Sequence, residues 1–186
     1  MLYLITGGSG SGKSEYAERA AVRMQERFGG GLYYVATMKP YDEECLARVA
    51  RHRDMRKGKG FSTLECPVCL ESVKVSGKDV LLLEDLSNLL ANERYAQEGR
   101  IKGSGDVMFE QAKEAIAEPI VDLSRLGGCV VVVTNEVFSD GAAYEEETEN
   151  YCRLLGFLNG RLAAAADGVA EVVCSIPVCQ KGELPC

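Results

Sequence analysis

Residues Gly7 to Ser14 read Gly-Gly-Ser-Gly-Ser-Gly-Lys-Ser, an octet that fits G-x-x-x-x-G-K-[ST] and constrains this chain more than any other stretch. Such a loop needs a strand before it and a helix after it. Leu2-Tyr3-Leu4-Ile5 is an apolar run that reads as a buried strand, and Glu15 to Arg27, rich in Ala, Glu, Met and Arg, reads as a helix. The glycines let backbone N–H groups curl around a phosphate, the helix start adds partial positive charge, Lys13 reaches outer phosphates and Ser14 can ligate Mg²⁺. Gly7, Gly8, Ser9, Gly10, Ser11, Gly12, Lys13 and Ser14 are therefore candidate contacts to a nucleoside triphosphate. The dinucleotide fingerprint is excluded, because after Gly8 and Gly10 its third glycine would fall on Lys13.

The remaining pattern alternates strands and helices. Strands are expected at Leu32 to Thr37, Phe61 to Leu64, Val80 to Leu83, Cys129 to Thr134 and Val169 to Ser175. Helices are expected from Asp42 toward Arg56, over Leu86 to Ala91, over Val107 to Leu126 with a kink at Pro119, and from Asn150 through Ala165. Gln97 to Asp106 is polar and glycine-containing and reads as a mobile loop; Phe138 to Glu149 reads as a loop and solvated helix start, and Lys181 to Cys186 as a short tail. This order predicts an α/β, three-layer fold with a mostly parallel central sheet, with ligands at the carboxyl ends of the strands. At 186 residues the chain suits one nucleotide-binding domain over 1–186.

A formal charge of −7 argues against a nucleic-acid partner or a membrane-surface role. The beginning lacks the basic region of a signal peptide and no apolar run reaches bilayer length, so a cytoplasmic protein without membrane insertion is expected. Eight cysteines stand at 45, 66, 69, 129, 152, 174, 179 and 186. In a reducing compartment these are free thiols, and the single Cys66-Pro67-Val68-Cys69 spacing is read as structural.

Two features carry further chemistry. Glu84 and Asp85 close the apolar run of Val80 to Leu83, where phosphate-loop enzymes place the carboxylate that holds Mg²⁺. The reading left beside it is a strand-end surface charge. His52, the only histidine, lies among Arg48, Arg51, Arg53, Arg56, Lys57 and Lys59, a basic patch in an acidic chain. On a helix, Arg48, His52 and Arg56 share one face, so the imidazole stands between two guanidiniums. Either His52 contacts phosphate within a solvated basic helix or, as neutral imidazole, it attacks phosphorus.

Several segments then meet a known family. Ile5-Thr6-Gly7-Gly8 running into Ser11-Gly12-Lys13-Ser14, Tyr34-Val35-Ala36-Thr37, Arg51-His52-Arg53-Asp54 with Arg56, Leu82-Leu83-Glu84, Ser87-Asn88-Leu89-Leu90, Thr134-Asn135-Glu136-Val137 and Leu158-Asn159 with Arg161-Leu162-Ala163-Ala164 occur in order along the chain. In these the chain resembles the bifunctional adenosylcobinamide kinase/adenosylcobinamide-phosphate guanylyltransferases of cobalamin assembly. The resemblance implies an enzyme with a RecA-like core, Mg²⁺, ATP and GTP as substrates, adenosylcobinamide as corrinoid partner, and a homotrimeric assembly. It implies phosphorylation of a corrinoid hydroxyl, then transfer of GMP with His52 as the GMP-bearing nucleophile. Nucleotide contacts carry over to Gly7 through Ser14, Ala36, Thr37, Met38, Arg53, Asp54, Met55, Arg56, Glu65 and Glu84, with Lys13 catalytic and Ser14 and Glu84 on the metal.

The chain departs from the family after Val137: many relatives run through Gly-Ile-Val-Pro to an arginine-bearing helix, whereas here Phe138-Ser139-Asp140-Gly141 leads to Tyr144 and Glu145. The residues by themselves also fit a small-metabolite kinase without guanylyl transfer. A GTP-binding regulatory module is the third reading, although no Asn-Lys-x-Asp base motif is present.

Overall fold

The computed structural model describes residues 1–39, 42–138, 141 and 144–185, without the side chain of Arg48. Ser139, Asp140 and Cys186, and the place of the Arg48 guanidinium on its helix face, thus lie outside the described residues. In chain order come β1 (Leu2–Thr6), α1 (Lys13–Phe28), β2 (Leu32–Ala36), α2 (Glu43–Arg56), β3 (Ser62–Glu65), β4 (Val80–Glu84) and α3 (Leu86–Tyr95). They are followed by α4 (Asp106–Ala112), α5 (Glu118–Leu126), β5 (Cys129–Val133), α6 (Glu146–Ala165), β6 (Gly168–Val173) and β7 (Ile176–Gly182).

The seven strands form one sheet in the order β3-β2-β4-β5-β1-β6-β7, parallel except for β7. Strand alternation assigns each side chain to a face. Leu2, Leu4, Leu81, Leu83, Val130 and Val132 pack with α3, α4, α5 and α6, whereas Tyr3, Ile5, Val80, Leu82, Val131 and Val133 pack with α1. Because β4 and β5 are buried on both faces, they carry continuous apolar runs, and each such side chain contributes about 1.5–3 kcal/mol.

The helix expected over Val107 to Leu126 is interrupted by a π turn at Lys113–Ala117, in which the Glu118 N–H donates to the Lys113 carbonyl. Pro119 has no N–H to offer Ala115 four residues back. The Arg100 guanidinium donates to the Ala115 carbonyl instead, at 3.0 Å. That contact also changes the reading of Gln97 to Asp106. Arg100 is locked onto the fully buried Glu93 at 2.6 Å and 3.2 Å, Ile101 is completely buried, and the Lys102 N–H donates to Gln111 at 2.7 Å. The segment is fastened at its middle, which composition could not reveal.

Helix α3 runs past Ala91 to Tyr95 because Asn92 and Glu93, polar by type, are buried by their bonding. Helix α6 begins at Glu146, earlier than Asn150, with Glu146, Glu147 and Glu149 in the first turn, where the helix dipole favours them. The chain end departs most from expectation. β6 stops at Val173, short of the expected Ser175, and the chain returns as β7, which takes in Lys181 and Gly182 of the expected tail, through a two-residue turn in which Cys174 and Ser175 have φ of 49° and 65°. No glycine or asparagine marks this turn, so the hairpin had no local signal.

Replacing Arg100 by alanine would leave the buried Glu93 without its charged partner. We expect Arg100→Ala to lower unfolding free energy by about 2–4 kcal/mol, the lower part of that range reflecting the partial exposure of Arg100, as read from urea denaturation.

Candidate active site

The parallel register gathers the site. Ala36 pairs with Glu65 on one side and with Glu84 on the other, so β2, β3 and β4 end level at the carboxyl edge of the sheet. The loop after β1 opens at the same edge. Gly12 enters α1 with φ of 89°, and α1 begins without a side-chain cap, so its first N–H groups face the loop. A Cβ on Gly7 would stand 2.6 Å from the Val172 carbonyl, and one on Gly12 2.6 Å from Ser175 Oγ. The Ser175 N–H donates to the Ser11 carbonyl at 2.8 Å, so the β6–β7 turn braces the loop from behind.

A cavity of about 620 Å³ opens over this edge. Lys13, only 8% exposed, donates to the Gly8 carbonyl at 3.0 Å. Burial lowers its ammonium from the ordinary lysine range, against the pull of Asp85 and then Glu84. Across β5, the Ser14 hydroxyl donates to Glu84 Oε1. Glu84 is 7% exposed and its Oε2 is buried without a hydrogen-bond partner. Burial pushes its carboxyl up to about 7, opposed by the Ser14 hydrogen bond and reinforced by Asp85 and Glu18.

Helix α2 forms the opposite wall. His52 Nδ1 lies 3.6 Å from Glu84 Oε1, beyond hydrogen-bond length but within electrostatic reach. One turn on, the Arg56 guanidinium stacks 3.3 Å over the Tyr34 ring, 8% exposed, with its Nη1 buried and unpartnered. Just beyond the helix, Lys59 reaches the fully buried Glu18 at 2.6 Å. These three contacts seat α2 over the cavity.

A family model described as cobinamide kinase / cobinamide phosphate guanyltransferase matches residues 3–179. The chain belongs to this family. It is 32% identical to the bifunctional adenosylcobalamin biosynthesis protein CobU of Salmonella typhimurium over 190 residues, covering 96% of this chain and 98% of that protein. To the CobU of Escherichia coli it is 30% identical over 185 residues, with 96% and 98% covered. Among solved structures, the ATPase domain of G40P aligns with a TM-score of 0.51 at 9% identity, over 91% of this chain and 68% of that one. This last likeness concerns the fold alone, which is the RecA-like P-loop architecture. As a member of the family, the chain is a transferase.

Of the residues singled out in the sequence, Ser9, Gly10, Ser11, Gly12, Lys13, Ser14, Ala36, Met38, Arg51, His52, Arg53, Met55, Arg56, Glu65, Glu84 and Asp85 line the cavity. Gly7 and Gly8, the first two residues of the loop, do not line the cavity. Thr37 is fully buried and donates to the Asp85 carbonyl at 2.9 Å, so it supports the wall from within. Asp54 points to solvent and pairs with Lys57 at 2.7 Å. Arg53 reaches toward Glu65 at 3.8 Å, both largely exposed at the rim. Sequence reading passed over Tyr34, Asn88 and Asn135 as cavity-lining groups. Asn135 could have been found by the rule that exposed Glu84, since both follow a continuous apolar strand.

Glu84 gives the protein a distinctive pH dependence in the absence of metal and nucleotide. Its folded pKa is raised, so its contribution to stability is complete below the ordinary carboxylate range and is lost as pH rises through about 7. We expect thermal stability in chelator to fall between pH 5 and 8, and Glu84→Gln to remove that slope and be the more stable form at pH 8, by about 2–3 kcal/mol. Calorimetry across that range checks the sign.

Proposed function

We propose that this protein phosphorylates adenosylcobinamide with a nucleoside triphosphate and then transfers GMP from GTP to the new phosphate, through a GMP bond to His52. The observation that carries the reading is a convergence: the phosphate loop with Lys13 and Ser14, the buried carboxylate of Glu84 and the chain's only histidine all line one cavity. Family membership supports the pair of activities and the corrinoid substrate. It also supports, by itself, a homotrimer, a cytoplasmic location and one domain over 1–186.

In the first reaction the loop N–H groups and Lys13 hold the outer phosphates and stabilise charge as the γ-phosphoryl group moves to the alcohol. For Mg²⁺, the donor set fits. One hydroxyl and one hard carboxylate, with Glu84 Oε2 buried and unpartnered, suit a cation that takes few protein ligands, so Ser14 and Glu84 are the residues to hold it. Bound there, the ion would neutralise charge on the outer phosphates. In the second reaction an imidazole nitrogen of His52 bonds to the α-phosphorus while the bond from that phosphorus to its bridging oxygen breaks, and pyrophosphate leaves with the electron pair. A phosphate oxygen of the corrinoid then displaces the imidazole. Arg56, one helical turn from His52, and Arg53 at the rim offer positive charge to the oxygens involved. Met38, Met55 and Ala36 supply the apolar surface that a purine needs, and Glu65 at the end of β3 is an acceptor for its N–H groups.

Lys13→Ala should cost on the order of a hundredfold or more in both reactions without loss of fold, measured by phosphoryl and guanylyl transfer beside circular dichroism. His52→Ala should lose acid-labile GMP labelling and guanylyl transfer while retaining corrinoid phosphorylation. If phosphorylation disappears with the label, His52 is a phosphate contact only. Excess chelator should stop both reactions, and Mg²⁺ should restore them.

A further inference from the structure

The cavity has two chemically different walls. One is the basic wall of α2, with His52, Arg53 and Arg56. The other carries a carboxylate and two carboxamides: Asp85 just after β4, Asn88 in the first turn of α3 and Asn135 after β5. This second wall is built, not incidental. Asp85 Oδ1 accepts from the Asn88 N–H at 2.7 Å and Oδ2 from the Asn135 carboxamide at 3.3 Å, while the same carboxamide donates to Ser87 Oγ at 2.8 Å. Ser87 is held in turn by α6, whose Tyr151 hydroxyl donates to the Ser87 carbonyl at 3.0 Å. The side chain of Asn88 faces the cavity and makes no hydrogen bond with any described residue.

The two proposed reactions need different acceptors at the same phosphates. A neutral alcohol is recognised by a hydrogen-bond acceptor for its O–H and a donor for its lone pair. A phosphate monoester is recognised by cations. We propose that Asp85 and Asn88 form the subsite for the acceptor alcohol of the phosphorylation, with Asn135 as the positioning residue that fixes Asp85. This inference rests on the reading given under Proposed function and assigns the residues that its first reaction lacks.

Position supports the assignment. Asp85 lines the same cavity as Lys13, and its carboxylate is within electrostatic reach of the ammonium. Outside the wall, Tyr95 and Tyr151 lie with ring centres 6.4 Å apart and Phe138 rests against Gly156, with Tyr95 and Phe138 about half exposed. Exposed aromatic surface of this kind suits a broad ring system whose side arm alone enters the cavity. With the alcohol so placed, its oxygen bonds to the γ-phosphorus as the bond from that phosphorus to the β–γ bridging oxygen breaks. The nucleoside diphosphate takes the electron pair, and the hydroxyl proton passes to the new phosphate and from there to water. The product, now anionic, is repelled by Asp85 and drawn to the arginines opposite, where the second reaction takes place.

The test uses the purified full chain with two readouts: phosphoryl transfer to adenosylcobinamide, analysed as kcat and KM for the corrinoid, and GMP labelling of the protein from GTP without corrinoid. Asp85→Asn keeps a good helix cap, so the fold is retained, and Asn88→Ala deletes only a cavity-facing amide. We expect each to lower kcat/KM for the corrinoid at least tenfold, with GMP labelling within twofold of wild type. Asn135→Ala should show a smaller loss of the same kind, and adding it to Asp85→Asn should cost little more. Equal losses in both readouts would place these residues on nucleotide or metal and overturn the subsite, as would unchanged corrinoid kinetics. Wild-type protein that neither phosphorylates the corrinoid nor takes up label would instead overturn the reading on which the subsite rests.

Discussion

The burial of one carboxylate organises the nucleotide end of this molecule. Glu84 stands at the end of a strand with apolar neighbours on both faces, where an isolated charge is costly. Its surroundings answer that cost only in part. The Ser14 hydroxyl satisfies Oε1, His52 lies within electrostatic reach, and Oε2 is left without a partner. A site with one half-satisfied carboxylate between a phosphate loop and an imidazole is poised for cationic and phosphate ligands. The same burial that raises the Glu84 carboxyl works against the stability of the fold, an opposition of stability and activity common at active sites.

The loop's conformation depends on a second constraint from the far end of the sequence. Gly7 and Gly12 have no room for a Cβ because the β6–β7 hairpin stands behind them. That hairpin turns on two non-glycine residues in the left-handed region, a strain of about 1 kcal/mol each. The hydrogen bond from Ser175 to Ser11 and the ladder of β7 on β6 hold it there. Through this hairpin the end of the chain supports both the nucleotide loop and the core cluster on which Leu184 packs.

A similar economy appears around Glu93. A fully buried carboxylate on α3 receives the Cys69 N–H at 2.9 Å, the Arg100 N–H at 3.1 Å and the Arg100 guanidinium, and so joins the Cys66–Cys69 turn to the loop after α3. The same guanidinium donates to the Ala115 carbonyl in place of the N–H that Pro119 lacks. In the sequence Glu93, Arg100 and Pro119 look like a surface acid, a loop base and a kink. Their roles come from proximity across segments, which neither composition nor periodicity records.

What the sequence determined by itself is what short-range chemistry determines. The loop from Gly7 to Ser14, the alternation of apolar runs with amphipathic stretches, and the acid at the end of β4 are each specified within about ten residues, because backbone geometry and side-chain periodicity act over that range. The tertiary structure decided the rest. Only the placement of β5 between β1 and β4 brings Ser14 to Glu84, 70 residues on, and opens a place for Asn135 beside Asp85. Only the docking of α2 determined that His52 and Arg56 face the cavity while Asp54 turns to solvent. Strand order and helix docking follow from which apolar faces bury one another across the whole chain. That competition between distant segments leaves no mark within any one of them.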